Sequence, residues 1–188
     1  MKAGCVNMGF YLNSTSAFSL YKSEIKKPYF VDKTMLLKEL FPMVAAGNSH
    51  ICITRPRRFG KTMAANMIGA FFGKGNEAGN IFDSLNISEV FGYAENLNHY
   101  NMIYIDFSKN NEDSDSYQEY IDTIKELLRE DLHQAYSQIV FREKGSVTED
   151  FTRIFNQTGD RFIFVLDEWD CIFHKILRIR ISTVIFLF

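Results

Sequence analysis

Short apolar runs alternate along this chain with longer segments whose apolar residues recur at helical spacing. The runs His50–Thr54, Met102–Ile105 and Phe162–Leu166 are short and rich in β-branched or aromatic residues, so they predict buried strands. Alternation of such strands with helices is typical of a parallel sheet whose faces are covered by helices. The sequence therefore predicts an α/β fold with a mostly parallel sheet.

Four segments between and beside these strands have apolar residues three and four positions apart, which predicts amphipathic helices. Residues 1–27 show little periodicity and predict an irregular lead-in. A short extended run, Tyr29–Val31, follows Pro28, which disfavours helix just before it. The predicted helices begin after Asp32, which can cap the first of them, near Lys61, near Tyr117 and near Val147.

Size, charge and cysteine content limit the class of protein. A length of 188 residues suits one α/β domain, and a net charge of −2 provides no basic field that would attract nucleic acid. Cys5, Cys52 and Cys171 are widely spaced, which argues against a disulfide framework or a zinc site and favours a reducing compartment. Met1–Ser19 lacks the order of a signal peptide, and Ile176–Phe188 is shorter than the ~20 apolar residues of a membrane helix. We therefore expect a cytoplasmic protein without a membrane partner.

The turn Gly60-Lys61-Thr62 lies between a predicted strand and a predicted helix, and it matches the end of the P-loop pattern GxxxxGK[ST]. Such a turn directs backbone N–H groups at phosphate oxygens, and the helix dipole adds positive charge there. Lys61 would neutralise the β and γ phosphates, and Thr62 would place its hydroxyl on Mg²⁺. Gly60 would let the backbone approach the phosphate without a Cβ in the way. The pattern asks for glycine at Arg55, so the strand and helix on either side carry much of the match.

The strand Phe162–Leu166 is followed by Asp167-Glu168, which is the Walker B pattern of an apolar run ending in two acids. Asp167 would hold Mg²⁺ through water, and Glu168 would polarise the attacking water as a general base. Each motif alone is only suggestive. Together, in this order and on these elements, they predict binding of ATP with Mg²⁺ and hydrolysis in which Lys61 and Glu168 are catalytic.

Simpler interpretations of the same residues stay open. The three arginines within residues 55–58 could form a solvated basic loop, contact phosphate, or pair with Asp167 or Asp170. Asp106 follows the strand next to the site, where open α/β sheets collect ligands, but a cap or loop carboxylate is the simpler interpretation. The turn at Gly60 could be an ordinary helix start with an exposed lysine.

Three segments make the chain resemble the bacterial and archaeal AAA-ATPase-like family: Tyr29–Thr34 followed by two leucines, Ile53–Thr62, and Val165–Asp170. The middle one, with its Arg-Pro-Arg-Arg-Phe-Gly-Lys-Thr loop, is the most specific and accounts for the missing first glycine. The resemblance spans roughly residues 25–175 and implies an ATP-binding domain. The nucleotide contacts expected besides the Gly60–Thr62 turn are Arg57, Arg58, Phe59, Met63 and, by resemblance alone, Asp32.

The family resemblance also sets expectations about domain organisation. Residues 1–24 are the expected lead-in, 25–175 the P-loop NTPase three-layer sandwich, and 176–188 an apolar tail unlike the family. We expect the sandwich to be incomplete on its C-terminal side, with hydrolysis impaired by truncation. By resemblance, a nuclease-like C-terminal domain often follows and would contact nucleic acid. The alternatives are a nucleotide-binding module without turnover and a nucleic-acid-associated fragment.

Overall fold

The computed structural model describes residues 9–47, 49–54, 59–75, 79–108, 116–169 and 183–187. Helices and strands alternate through these ranges, as the predicted α/β class requires. No helix in the described part of the chain has the length and apolar character needed to cross a membrane. The helices are α1 Ser16–Glu24, α2 Met35–Ala46, α3 Lys61–Phe72, α4 Gly79–Phe82, α5 Tyr93–Asn96, α6 Tyr117–Ala135 and α7 Val147–Thr158, with a 3₁₀ turn at Asn86–Glu89. The strands are β1 Ser49–Ile53, β2 Asn101–Asp106, β3 Phe162–Asp167 and β4 Thr183–Leu187.

The four strands form one sheet in the order β1-β4-β3-β2. β2 and β3 pair in parallel, whereas β4 runs antiparallel to both β1 and β3. Since β1 and β3 are each antiparallel to β4, they are parallel to one another. The sheet therefore has fewer parallel strand pairs than predicted. The first residues of β4 lie beside the last residues of β3, so the two strands run in opposite directions.

Helices pack against both faces of this sheet. Successive residues of a strand point to opposite faces, and the residues of β2 and β3 divide accordingly between two apolar clusters. The face with α1, α2 and α3 includes Met102, Tyr104, Ile163 and Val165. The face with α6 and α7 includes Ile103, Ile105 and Phe162.

The predicted strands agree with β1, β2 and β3 to within about one residue, and the four predicted helices correspond to α2, α3, α6 and α7. Two elements differ from expectation. Residues 16–24 form α1, where the sequence shows little periodicity, and residues 183–187 of the expected tail form β4. α1 packs closely on α3 at Gly69. A Cβ added at this glycine would lie only 2.8 Å from the Cβ of Ala17, so the contact leaves no room for a side chain.

The N-terminal segment is attached to the domain through Asp131 of α6. The backbone N–H groups of Phe10, Tyr11 and Leu12 donate to the Asp131 carboxylate at 2.8, 2.7 and 3.0 Å. Leu12 also bridges Ile103, so this segment lies beside the edge strand β2. A carboxylate with 7% exposure that accepts three amide hydrogen bonds is well compensated for its burial.

Candidate functional site

The two predicted motifs follow strands that end at the same edge of the sheet. Ile53, the last residue of β1, pairs with Thr183, and Leu166 of β3 pairs with the next residue, Val184. One strand separates β1 from β3, which places the two strand ends roughly 10 Å apart. The carboxyl ends of β1 and β3, after which the two motifs come in the sequence, therefore lie at the same edge of the sheet.

The turn that starts α3 has the backbone geometry of a left-handed glycine. Gly60 has φ 81° and ψ 29° and lies immediately before Lys61, the first residue of the helix. Such a conformation is costly for residues with a Cβ. Because Gly60 has no side chain, it cannot cap the first-turn N–H groups of α3, and these remain suited to an anion. Lys61 is half-buried at this turn, whereas Thr62 is exposed.

A small cavity of about 260 Å³ lies beside this turn. It brings together three of the predicted nucleotide contacts, Phe59, Gly60 and Met63, with residues at the start of α2. Phe59 is 61% exposed, so it lies at the mouth of the site rather than in the core. The lining residues are Lys33, Leu36, Phe59, Gly60, Met63, Ala64 and Met67.

Asp167 is the last residue of β3 and is fully buried. Its Oδ2 accepts a hydrogen bond of 3.5 Å from the hydroxyl of Tyr104, and its Oδ1 accepts one of 3.1 Å from the N–H of Glu168. Burial, reinforced by the charge of Asp167, raises the pKa of Tyr104 well above its usual range, so its phenol remains a donor. Asp106 lies beside Asp167 in the parallel register, which brings two acids to this strand end.

Glu168 turns the chain out of β3 with an unusual backbone. Its φ is +51°, a left-handed value that is uncommon for a residue with a side chain. Strained backbones of this kind are concentrated at functional sites, where the surrounding structure stabilises them. The side chain of Glu168 is half-buried directly after the fully buried Asp167.

Asp32 lies in the turn before α2, and both of its carboxylate oxygens accept backbone hydrogen bonds. Thr34 N–H donates to Oδ1 and Asn86 N–H donates to Oδ2, each at 2.8 Å. Partial burial tends to raise the pKa of Asp32, but these bonds and one from the Thr34 side chain outweigh it and leave the pKa lowered. The carboxylate thus joins α2 to the 3₁₀ turn, while its neighbour Lys33 extends toward Gly60.

Two predicted phosphate contacts stay untested by the described geometry. Arg57 and Arg58 lie outside the described residues. In the described ranges, no group of three or more His, Cys, Asp or Glu residues could hold a metal ion. A Mg²⁺ ion at Thr62 and Asp167 would therefore need phosphate oxygens and water as further ligands, which is how Mg²⁺ is commonly bound beside nucleotides.

Two residues at this site escape sequence reasoning. Lys33 belongs to the segment Asp32–Thr34, which the family resemblance places near the nucleotide, but it matches no general motif and only the fold shows its ammonium group at Gly60. Tyr104 is one apolar residue of a predicted strand, and only the pairing of β2 with β3 brings it to Asp167. The alternation of strand residues could have placed Tyr104 on the same face as Asp106, but not next to Asp167.

The fold and site define an α/β domain in which a Gly-Lys-Thr turn follows one strand and an Asp-Glu pair ends another at the same edge. Residues 18–183 match the family described as "Predicted AAA-ATPase", and the chain belongs to this AAA-ATPase-like family. The match extends beyond the predicted limits of 25–175 at both ends. No curated protein and no solved structure matches the chain.

Proposed function

We propose that this chain is an ATP-binding domain with the three-layer architecture of P-loop NTPases, and that it hydrolyses ATP in the full-length context. The observation that carries this proposal is the parallel relation of β1 and β3 through β4. It supports the proposal because the strand that precedes α3 and the strand that ends in Asp167 have their carboxyl ends at one edge of the sheet, from which both motifs could contact the same triphosphate. Membership of a family of predicted ATPases supports the same function.

On this proposal, the start of α3 binds the phosphate chain. The N–H groups that follow Gly60, which its own side chain cannot cap, donate to phosphate oxygens, and Lys61 neutralises the charge on the β and γ phosphates. The left-handed φ of Gly60 supports this role, since the backbone comes close without a Cβ. Phe59 and Met63 line the adjoining cavity and would contact the rest of the nucleotide. Arg57 and Arg58 are proposed as further phosphate contacts.

Opposite the phosphates, the end of β3 would hold the metal and the attacking water. Bound Mg²⁺ would neutralise phosphate charge and favour attack on the terminal phosphorus. Thr62 offers it a hydroxyl and Asp167 a carboxylate, which are the hard oxygen donors that Mg²⁺ prefers. The Glu168 carboxylate would orient the attacking water and accept its proton.

A nucleotide-binding module without turnover is the second candidate. The full burial of Asp167 favours it, since a metal bound through water needs room beside the carboxylate. In this case the Gly60 turn still binds phosphate, whereas the end of β3 serves the stability of the fold. Both candidate functions therefore require Lys61 for nucleotide binding, whereas only the ATPase requires Glu168, for hydrolysis.

Two substitutions separate these functions when ATP binding and single-turnover hydrolysis are both measured in the full-length context to which the proposal assigns hydrolysis. An ATPase predicts that Lys61→Ala loses binding and hydrolysis, while Glu168→Gln keeps binding and loses hydrolysis. Binding without hydrolysis in the unsubstituted chain would favour the module. Equal hydrolysis rates for the unsubstituted chain and Lys61→Ala would remove the enzyme from consideration.

A further inference from the structure

We propose that Lys33 is a second cationic residue for the phosphate chain of the nucleotide, acting beside Lys61. This inference rests on the function proposed above and adds a residue from outside both motifs. The Lys33 Nζ lies 3.4 Å from the position that a Cβ on Gly60 would occupy, so the ammonium group lies against the glycine turn itself. Lys33 also lines the cavity that contains Phe59, Gly60 and Met63.

The backbone that carries Lys33 is held in place on both sides. Asp32 accepts hydrogen bonds from Thr34 and from Asn86, which lies in a separate turn of the chain. Thr34 is fully buried, and its hydroxyl accepts a bond of 3.2 Å from the N–H of Ile87. The carbonyl of Lys33 itself accepts the N–H of Leu36 at 3.1 Å. The Lys33 side chain is therefore presented toward Gly60 from an ordered turn, which lowers the entropy lost on binding.

The electrostatic surroundings of the Lys33 ammonium group favour binding of an anion. Among the residues that the structure describes, no carboxylate lies within ion-pair distance of its ammonium group. The neighbouring Asp32 directs its oxygens to backbone amides instead. Lys61 and the positive end of the α3 dipole lie at the same turn. A phosphate bound at this turn would therefore be attracted both by the start of α3 and by the ammonium group of Lys33.

This placement makes phosphate, rather than the base or the sugar, the group that Lys33 recognises. The rest of the cavity wall is largely apolar, with Leu36, Met63 and Met67. The ammonium group of Lys33 is thus the charged feature of a pocket that otherwise offers apolar contact. A charge-assisted bond of this type contributes enough for its removal to weaken binding on the order of tenfold or more.

The test measures the Mg-ATP dissociation constant of the full chain by calorimetry for Lys33→Met, Lys33→Arg, Lys61→Met and Lys38→Met. Methionine keeps most of the apolar stem and removes the charge, so we expect affinity to fall about tenfold or more. Arginine keeps the charge, and we expect affinity within a few-fold of the original. Lys38 is an exposed lysine of α2, and its substitution controls for a general loss of positive charge.

The outcomes separate this inference from the function on which it rests. Unchanged affinity in Lys33→Met, together with lost affinity in Lys61→Met, would overturn the role of Lys33 and leave the ATP site in place. Unchanged affinity in Lys61→Met would overturn the ATP site and Lys33 with it. Equal losses in Lys33→Met and Lys33→Arg would contradict a role based on charge. Thermal melting of each variant shows whether the fold is retained.

Discussion

The hydroxyl of Tyr104 on β2 donates a hydrogen bond of 3.5 Å to Asp167 at the end of β3. Tyr104 lies opposite Val165 in the parallel register, so its side chain reaches along the sheet toward the strand end. Both residues are buried, and a buried carboxylate is stabilised by each donor that it retains. Tyr104 is therefore a positioning residue for the carboxylate that we propose as a metal ligand.

Replacing Tyr104 with phenylalanine removes this donor and keeps the ring. We expect Tyr104→Phe to weaken ATP binding several-fold in Mg²⁺ and to leave binding in EDTA unchanged, because the bond orients Asp167 and not the phosphate turn. Calorimetric titrations in the two buffers give both numbers.

A matched control is available at the opposite end of β3. Tyr136 donates to Asp160 at 2.8 Å, so Tyr136→Phe also removes a tyrosine–aspartate bond. It should not change the ratio of affinities in Mg²⁺ and EDTA. An equal loss of affinity in both buffers for Tyr104→Phe would show that Tyr104 supports the fold and has no specific role toward the metal.

Asp131 gives a second prediction, which concerns stability. Asp131→Asn replaces a carboxylate that accepts three backbone N–H groups by an amide with only one acceptor oxygen. We expect the free energy of unfolding to fall by about 1–3 kcal/mol, since buried N–H groups lose their partner. Urea denaturation measures the loss. The neighbouring exposed Glu130 provides the control, and a Glu130→Gln loss as large as that of Asp131→Asn would refute the account.

Asp32 gives a prediction about pH. Its lowered pKa means that the charged carboxylate stabilises the fold above the unfolded value near 4, and that this contribution is lost as pH falls through the lower folded value. Asp32→Asn should therefore be less stable than the original chain at pH 7, and the difference should shrink as the pH is lowered below that unfolded value. Chemical denaturation across that range measures it. Glu39→Gln, at an exposed position of α2, is the matched control for the removal of one carboxylate charge from the same region.

The same variant also bears on the predicted nucleotide contact. If Asp32→Asn retains its Mg-ATP affinity at pH 7 while losing stability, then Asp32 acts through the turn that it holds. A loss of affinity larger than that of Lys33→Met would instead favour direct contact between Asp32 and the nucleotide.

The elements predicted from sequence are those whose burial is determined locally. β3 is a continuous apolar run, and α6 and α7 each have a polar face and an apolar face along their whole length. α1 buries only Ala17 and Tyr21, and its position depends on close contact with Gly69 of a later helix. The pairing of β4 between β1 and β3 is likewise non-local, because apolar character alone gives neither partner nor direction.

The residues of the candidate site also divide into those that local sequence identifies and those that only non-local contacts bring to the site. Lys61 and Asp167 could be found from short motifs placed after strands, because strand ends collect ligands in α/β folds. For Lys33, the family resemblance indicates only that its segment lies near the nucleotide, because the turn is fixed by a bond from Asn86 to Asp32, two residues 54 positions apart. Tyr104 depends on strand register in the same way. The sequence thus predicts the residues of the motifs, whereas the fold supplies the neighbours that orient them.

The proposal that Gly60–Thr62 binds the phosphates of ATP is tested most directly by calorimetric titration of Mg-ATP into the full chain, Lys61→Ala and Lys38→Ala. Lys61 lies at the start of α3, whereas Lys38 is exposed on α2. The account predicts saturable binding to the unsubstituted chain and to Lys38→Ala, with affinity reduced about tenfold or more in Lys61→Ala. The same affinity in all three proteins, or no binding to the unsubstituted chain, would contradict it.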